Sequence, residues 1–192
     1  MSLLNLHHQL VFYRAYHFNK KNVRIHMVFV PTILFTSLLM AAYYRFDSFF
    51  PQVATPYSYV FNAASIWSYS SLAYYLILDR AALLTAPFLL LAPVGFAYLY
   101  EIFPAAQIIK PAASLFVFSW IAQFYGHAVY EGRSPALFDN LIQALVLAPY
   151  FVLFEVLFFF GFRKDLERAV DNEAGVRARD FILAKKRNEK AA

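Results

Sequence analysis

The apolar positions gather into long blocks at about 25–44, 58–78, 81–100, 111–129 and 140–161. Each is close to the roughly 20 residues that carry a helix across a bilayer. Polar or proline-rich stretches separate them: Pro51 and Pro56, then Asp79-Arg80, then Pro104 to Pro111. Pro87, Pro93 and Pro149 fall inside apolar blocks and are expected to kink or break them. Upstream, Leu3, Leu6, Leu10, Tyr13 and His17 fall near one stripe of a helix over residues 2–17, predicting an amphipathic helix along a membrane surface. The segment Phe18–Asn22 reads as a turn, with Asn22 placed to cap the next helix. After Gly161 the pattern becomes a charged helix of mixed sign. The expected fold is an all-α, polytopic membrane helical bundle with four to six spans and an N-terminal amphipathic helix. Residues 1–162 form its membrane-embedded domain and 163–192 a charged cytosolic tail.

Composition strengthens the membrane reading. The chain is 61% hydrophobic and 15% charged, where a soluble domain is about half apolar and a quarter charged. With no cysteine, disulfides, iron–sulfur clusters and thiolate chemistry are excluded. The net charge of +5 is concentrated at the ends, which fits positive-inside topology better than nucleic-acid binding. No cleavable signal peptide is evident, since the first long apolar run begins after Arg24. Arg14, Lys20, Lys21 and Arg24 precede that run without an acid, and the tail is basic too, so both ends are expected in the cytosol. Two cytosolic ends need an even number of crossings, against five blocks. The expectation is four full crossings, with block 140–161 turning back at Pro149; alternatively, one block holds two short spans. Four crossings bring His127 out on the side of His17 and His26.

The chemistry concentrates in Trp120 to Leu141. Gln123, His127 and Glu131 recur at four-residue steps, stacking on one helical face within an apolar run. Polar groups at such a depth are costly and mark a site. Gly126 permits a close approach beside His127, Gly132 and Pro135 end the helix, and Asp139-Asn140 offer caps for the next. One histidine cannot hold a metal. His17 and His26, nine residues apart, would face opposite ways on one unbroken helix, but the turn between them lets both face one point. His7 and His8 read as exposed residues of the surface helix. Three histidines suit Fe(II) or Zn(II), completed by water, a carboxylate or substrate.

Taken singly, these residues also fit ordinary roles. His17 suits an interface, His26 the start of a span, and His127 a bond to Gln123 or a carbonyl. Asp79 reads either as a fourth ligand or histidine-orienting partner, or as an ion pair with Arg80. Glu155 lies in an apolar block and must be paired or protonated. The chain has no HxxxH or HxxHH motif, which argues against the eight-histidine di-iron desaturases. It also lacks GxSxG, a P-loop and GxGxxG after a strand. The residues alone leave open an iron oxygenase, a bis-histidine haem electron carrier and a non-catalytic membrane scaffold.

The segments YHFNKKNVRIHMVFVPTILF, SWIAQFYGHAVYEGRSPALFDNL and VLAPYFVLFE resemble the family of 2-hydroxy fatty acid dioxygenases of the endoplasmic reticulum. The similarity runs from about Leu4 to Phe162 and is most specific in the two histidine-bearing segments. It implies an Fe(II)-dependent membrane enzyme that uses O2 to shorten a 2-hydroxy fatty acid by one carbon. In eukaryotic members this α-oxidation serves phytosphingosine degradation to odd-chain fatty acids. His17, His26 and His127 fall on the family's histidine positions, and Gln123, Glu131, Pro135 and Asp139 on its second motif. The resemblance implies a metal set of His17, His26 and His127; Asp79, at the end of the second block on the histidine side of the expected topology, is a candidate fourth ligand by position. It adds Gln123 and Glu131 as further catalytic residues. Lys21, Arg24 and Arg133 are candidates to steer the substrate carboxylate, and the sequence does not choose among them.

Overall fold

A computed structural model describes residues 3–46, 57–135 and 143–191 of the chain. Among these residues the structure is helical, with no strand and one isolated antiparallel bridge between Arg45 and Asn62. The helices are α1 (Leu6–Tyr16), α2 (Lys20–Ala41), α3 (Ala63–Leu78), α4 (Ala86–Ile102), α5 (Ala105–Gly126), α6 (Ala148–Phe159) and α7 (Lys164–Ala191). A π-helix, His127–Glu131, continues α5, and another, Gln143–Leu147, leads into α6. The chain forms two compact units: Met1–Val30 with Ala122–Ala192, and Pro31–Ile121.

The all-helical expectation holds, and the helices are apolar enough for a membrane. Two of them, α2 and the continuous Ala105–Glu131 segment, are long and apolar enough to cross a bilayer; the bent pair Leu145–Phe159 and Lys164–Asn188 makes a third if counted as one span. The apolar blocks overstate helix length. Block 58–78 opens with a 3-10 turn and yields only 16 helical residues, because Asn62 caps α3 by accepting from Ser65 N. Block 81–100 likewise opens with the 3-10 turn Arg80–Leu84 before α4 begins. The turns expected at Pro51–Pro56 and the caps at Asp139-Asn140 lie outside the described residues.

Pro149 does not break its block. It sits in the first turn of α6, where a proline forfeits no helical hydrogen bond. The chain turns instead at residues 160–163, where the axis bends by 118°. Pro87 also opens a helix, whereas Pro93 lies within α4.

In the unit holding both ends of the chain, α1 packs on α7 and α6. The predicted stripe is real in part, since Leu10, Tyr13 and His17 are buried, but so are Gln9, Val11, Ala15 and Tyr16. Helix α1 is therefore covered on more than one side rather than presenting a polar face along its length. Helix α7 contributes Val170 and Ala174 to this core, and α6 contributes Tyr150, Phe151 and Phe154. Burying one such aromatic contributes about 1.5–3 kcal/mol. The charged segment after residue 163 is thus a helix docked on α1. Arg14 of α1 ties the three helices together. Its Nη1 donates to both Glu155 oxygens of α6 at 2.7 and 2.8 Å, and its Nε to Asp171 of α7 at 2.8 Å. Burial opposes the Arg14 charge, but these two carboxylates outweigh it and raise its pKa. Glu155 is paired, as its apolar block demanded.

In the other unit, Leu38, Ala42, Ala64, Phe96 and Ala97 form the core. Asn62 Nδ2 donates to Tyr59 O and Pro93 O, and Arg45 pairs with Glu101 at one edge.

Candidate metal centre

Helix α1 ends at His17, which is its C-cap. The next two residues turn the chain, and α2 begins at Lys20. Asn19 caps this start, with Lys21 N donating to Asn19 Oδ1 at 2.9 Å. The cap predicted at Asn22 is therefore three residues late: Asn22 lies inside the first turn of α2 and is fully buried. The turn does what the spacing required. It folds His26 back towards His17, with ring centroids 4.3 Å apart.

His127 arrives from the third direction, on the first residue of the π-helix. Its ring centroid lies 4.8 Å from His17 and 4.9 Å from His26. One ligand atom from each of the three lies within 4.8 Å of the others, and all three rings are buried. An ion with metal–nitrogen bonds of about 2.1 Å holds two ligand atoms at most about 4.2 Å apart. Three such atoms on one ion lie closer still, about 3.0–3.6 Å apart, so the widest pair of the triad closes by roughly 1–2 Å when it grips one. Among the described residues, His17, His26 and His127 are the group able to share a metal ion.

Two of the rings are already oriented for ligation. His17 Nδ1 is 2.8 Å from Tyr13 O, and His26 Nδ1 is 3.0 Å from Asn22 O. A proton on each Nδ1, donated to its carbonyl, leaves both Nε2 lone pairs bare, the usual arrangement at metal sites. His127 Nδ1 is buried with no hydrogen-bond partner, an orphan that ligation would satisfy. Burial first, then the neighbouring imidazoles of His26 and His127, pushes the His17 pKa well below its ordinary value. The ring stays neutral, as a metal ligand must.

The approach of α5 to α2 depends on Gly126. A Cβ there would stand 2.3 Å from Asn22 Oδ1 and 3.3 Å from Ile25 Cδ1. The π turn then swings Glu131 away from the face it would share with His127 on a regular α-helix. Glu131 Oε1 instead accepts from Asn19 N at 2.9 Å and from Asn22 Nδ2 at 3.1 Å. Its carboxylate sits at the start of α2, where a negative charge is favoured. Gly132 closes the turn with φ of 59° and donates its N–H to His127 O. Local departures of this kind are frequent at functional sites.

The remaining sequence candidates divide. Gln123 is buried one turn before His127, and its Nε2 has no hydrogen-bond partner. Asp79 belongs to the other unit and caps the Arg80–Leu84 turn, accepting from Ala81 N. His8 is exposed, while His7 is half-buried and lies 3.9 Å from Glu173; neither belongs to the triad. Lys21 Nζ lies 5.5 Å over the Tyr130 ring, and Arg24 is exposed. Arg133 is clasped, with its guanidinium carbon 3.4 Å from the Tyr16 ring centroid and 4.4 Å from that of Phe181 on α7.

Sequence reasoning missed Tyr13 as part of the site. Its ring stacks on His17 with centroids 4.0 Å apart and 20° between planes, and it packs against Phe151 on α6. Burial, then the charge of Glu155, pushes the phenol pKa well above its ordinary value, so the hydroxyl keeps its proton. The four-residue step from Tyr13 to His17 was the available sign, since it puts both on one face of α1.

Comparison with known proteins now decides the lineage. The family model for 2-hydroxy-palmitic acid dioxygenase Mpo1-like proteins matches residues 3–160. This chain belongs to the Mpo1-like family. It is 38% identical over 181 residues to the 2-hydroxy-palmitic acid dioxygenase MPO1 of Saccharomyces cerevisiae, covering 94% of this chain and 96% of the relative. No solved structure matches. The family match spans all three histidines, Gln123, Glu131 and Arg133.

Proposed function

We propose that this Mpo1-like protein is an Fe(II)-dependent dioxygenase that converts a 2-hydroxy long-chain fatty acid and O2 to the fatty acid one carbon shorter. The observation that carries this reading is the buried triad of His17, His26 and His127 in a chain of this family. The atoms balance with CO2 and water as the other products. The substrate supplies all four electrons that reduce O2, so no 2-oxoglutarate is consumed. Bound at the triad, Fe(II) supplies dioxygen activation and the Lewis acidity that polarises the substrate head.

The protein's own residues supply position and exclusion of water. Tyr13 O and Asn22 O hold the His17 and His26 rings in the ligating tautomer. Glu131 holds the start of α2, and with it His26, to the end of the His127 helix. Of the three cations left open by sequence, Arg133 best suits a carboxylate. Aromatic rings cover its guanidinium at Tyr16 and Phe181, and a stacked guanidinium presents its N–H fork edge-on to a planar anion. Asp79 is the weaker candidate for a fourth ligand, because its carboxylate is engaged as a cap.

Residues 1–162 act as the membrane-embedded catalytic domain, with four to six crossings, both ends cytosolic, and residence in the endoplasmic reticulum. The apolar helices, the basic ends and the resemblance support this placement. The family resemblance supports a role in α-oxidation of the 2-hydroxy acids from sphingoid-base breakdown. A bis-histidine haem is disfavoured. Three imidazoles with centroids 4.3, 4.8 and 4.9 Å apart leave no slot for a porphyrin between any two of them.

The test is direct. Purified protein loaded anaerobically with Fe(II) is given 2-hydroxyhexadecanoic acid and O2, and the lipids are read by mass spectrometry. Pentadecanoic acid is expected, formed only with both iron and O2. Unchanged substrate with a fully loaded, folded protein would overturn the assignment.

A further inference from the structure

Buried side-chain polar atoms almost always find a hydrogen-bond partner. In the unit that holds the histidines, the described residues leave four such atoms without one: Tyr13 Oη, Asn22 Oδ1, Gln123 Nε2 and His127 Nδ1. All four belong to the site. His127 is a member of the triad, and Asn22 gives its carbonyl to His26. Gln123 lies one helical turn from His127, and Tyr13 lies flat on His17. An imidazole nitrogen is satisfied by a metal. A phenol and an amide N–H are not; they call for an oxygen-rich ligand beside it.

Tyr13 is the most telling of the four. Its ring is fixed between the His17 imidazole and Phe151, at centroid separations of 4.0 and 4.6 Å. The hydroxyl therefore cannot swing out to seek a partner elsewhere. Phenylalanine would fill the same space without stranding a buried hydroxyl, which costs about 1–3 kcal/mol when unpaired. The chain has 22 phenylalanines and uses Phe151 and Phe154 in this same core, so size and apolarity alone do not explain a tyrosine at this position.

We propose that Tyr13 is a substrate-binding residue whose phenolic hydroxyl donates a hydrogen bond to an oxygen of the 2-hydroxy acid head, with Gln123 Nε2 as the second donor. The inference rests on the dioxygenase reading and names the protein groups that grip the substrate head. Tyr13 stays protonated throughout; it holds the oxygen and transfers no electron.

Binding can be read without turnover. The protein is loaded with Co(II), and 2-hydroxyhexadecanoic acid is titrated anaerobically while the visible Co(II) bands are followed. Tyr13→Phe is expected to hold as much Co(II) as the wild type and, without the acid, to melt at the same or a higher temperature, but to bind the acid 10- to 100-fold more weakly. With iron, its turnover should fall by at least tenfold. Equal affinity in Tyr13→Phe and wild type would overturn the proposal. So would loss of Co(II) from a folded Tyr13→Phe protein, which would make Tyr13 a support for His17. If Tyr13→Phe does not fold, Gln123→Met carries the test: at least tenfold weaker binding supports the paired donors, and unchanged binding overturns them. Failure of the wild type itself to take up Co(II) or bind the acid would count against the dioxygenase reading instead.

Discussion

Glu131 caps the helix that carries His26: its carboxylate accepts from the backbone N–H of Asn19 at 2.9 Å. One contact thus joins the end of the His127 segment to the beginning of the His26 helix. The residue acts through position, and its effect should appear first in metal affinity.

Glu131→Ala is expected to weaken Fe(II) or Co(II) binding by about 10- to 100-fold, the usual scale for partners that orient metal ligands. Loss of the cap should cost about 1 kcal/mol of stability. Glu131→Gln keeps an acceptor oxygen and should recover much of the affinity. Metal titration of the three proteins checks this. A Glu131→Gln protein as deficient as Glu131→Ala would mean that the charge matters more than the cap.

Gly126→Ala is expected to damage the site through crowding alone. The new methyl would stand 2.3 Å from Asn22 Oδ1. Asn22 is short and held through its Nδ2 by Glu131, so it cannot yield without giving up that bond. Destabilisation of about 1–3 kcal/mol is expected, together with reduced metal content. Adding Asn22→Ala should restore stability in part, which thermal melting of the single and double variants will show.

The Arg14–Glu155 pair is nearly buried, with side chains 15% and 11% exposed. Removing only the arginine strands a carboxylate, and such changes cost about 3–5 kcal/mol. Arg14→Met should therefore be strongly destabilised, while Arg14→Met with Glu155→Leu should recover most of the loss. Asp171 is 41% exposed, so its own removal should cost about 1 kcal/mol or less. Denaturant melts of the wild type and these three variants in one detergent compare these effects.

How much of this was legible in the sequence follows from the range of the interactions. The convergence of His17 and His26 was readable because a local turn controls it. The burial of His127 and Gln123 followed from four-residue steps in an apolar helix. The bond from Glu131 to the start of α2 was not legible, because a π turn closed at Gly132 shifts it off the regular helical face. The docking of α7 was hidden for another reason. Its anchors, Val170, Ala174 and Asp171, meet α1 from more than 150 residues away in sequence, as the Arg14–Asp171 bond spans 157. Its mixed charges looked wholly solvated, yet Asp171 meets Arg14, Glu173 meets His7 and Lys185 donates to Gly132 O. Pro149 misled because a proline at a first helical turn and one in a helix interior look alike in sequence.

The central claim is that three of five histidines hold one iron ion. The most direct measurement is anomalous scattering at the iron absorption edge from crystals of the iron-loaded protein. We expect a single strong peak within bonding distance of His17, His26 and His127, with none at His7 or His8. A peak elsewhere, or an active protein with no iron at this triad, would contradict the account.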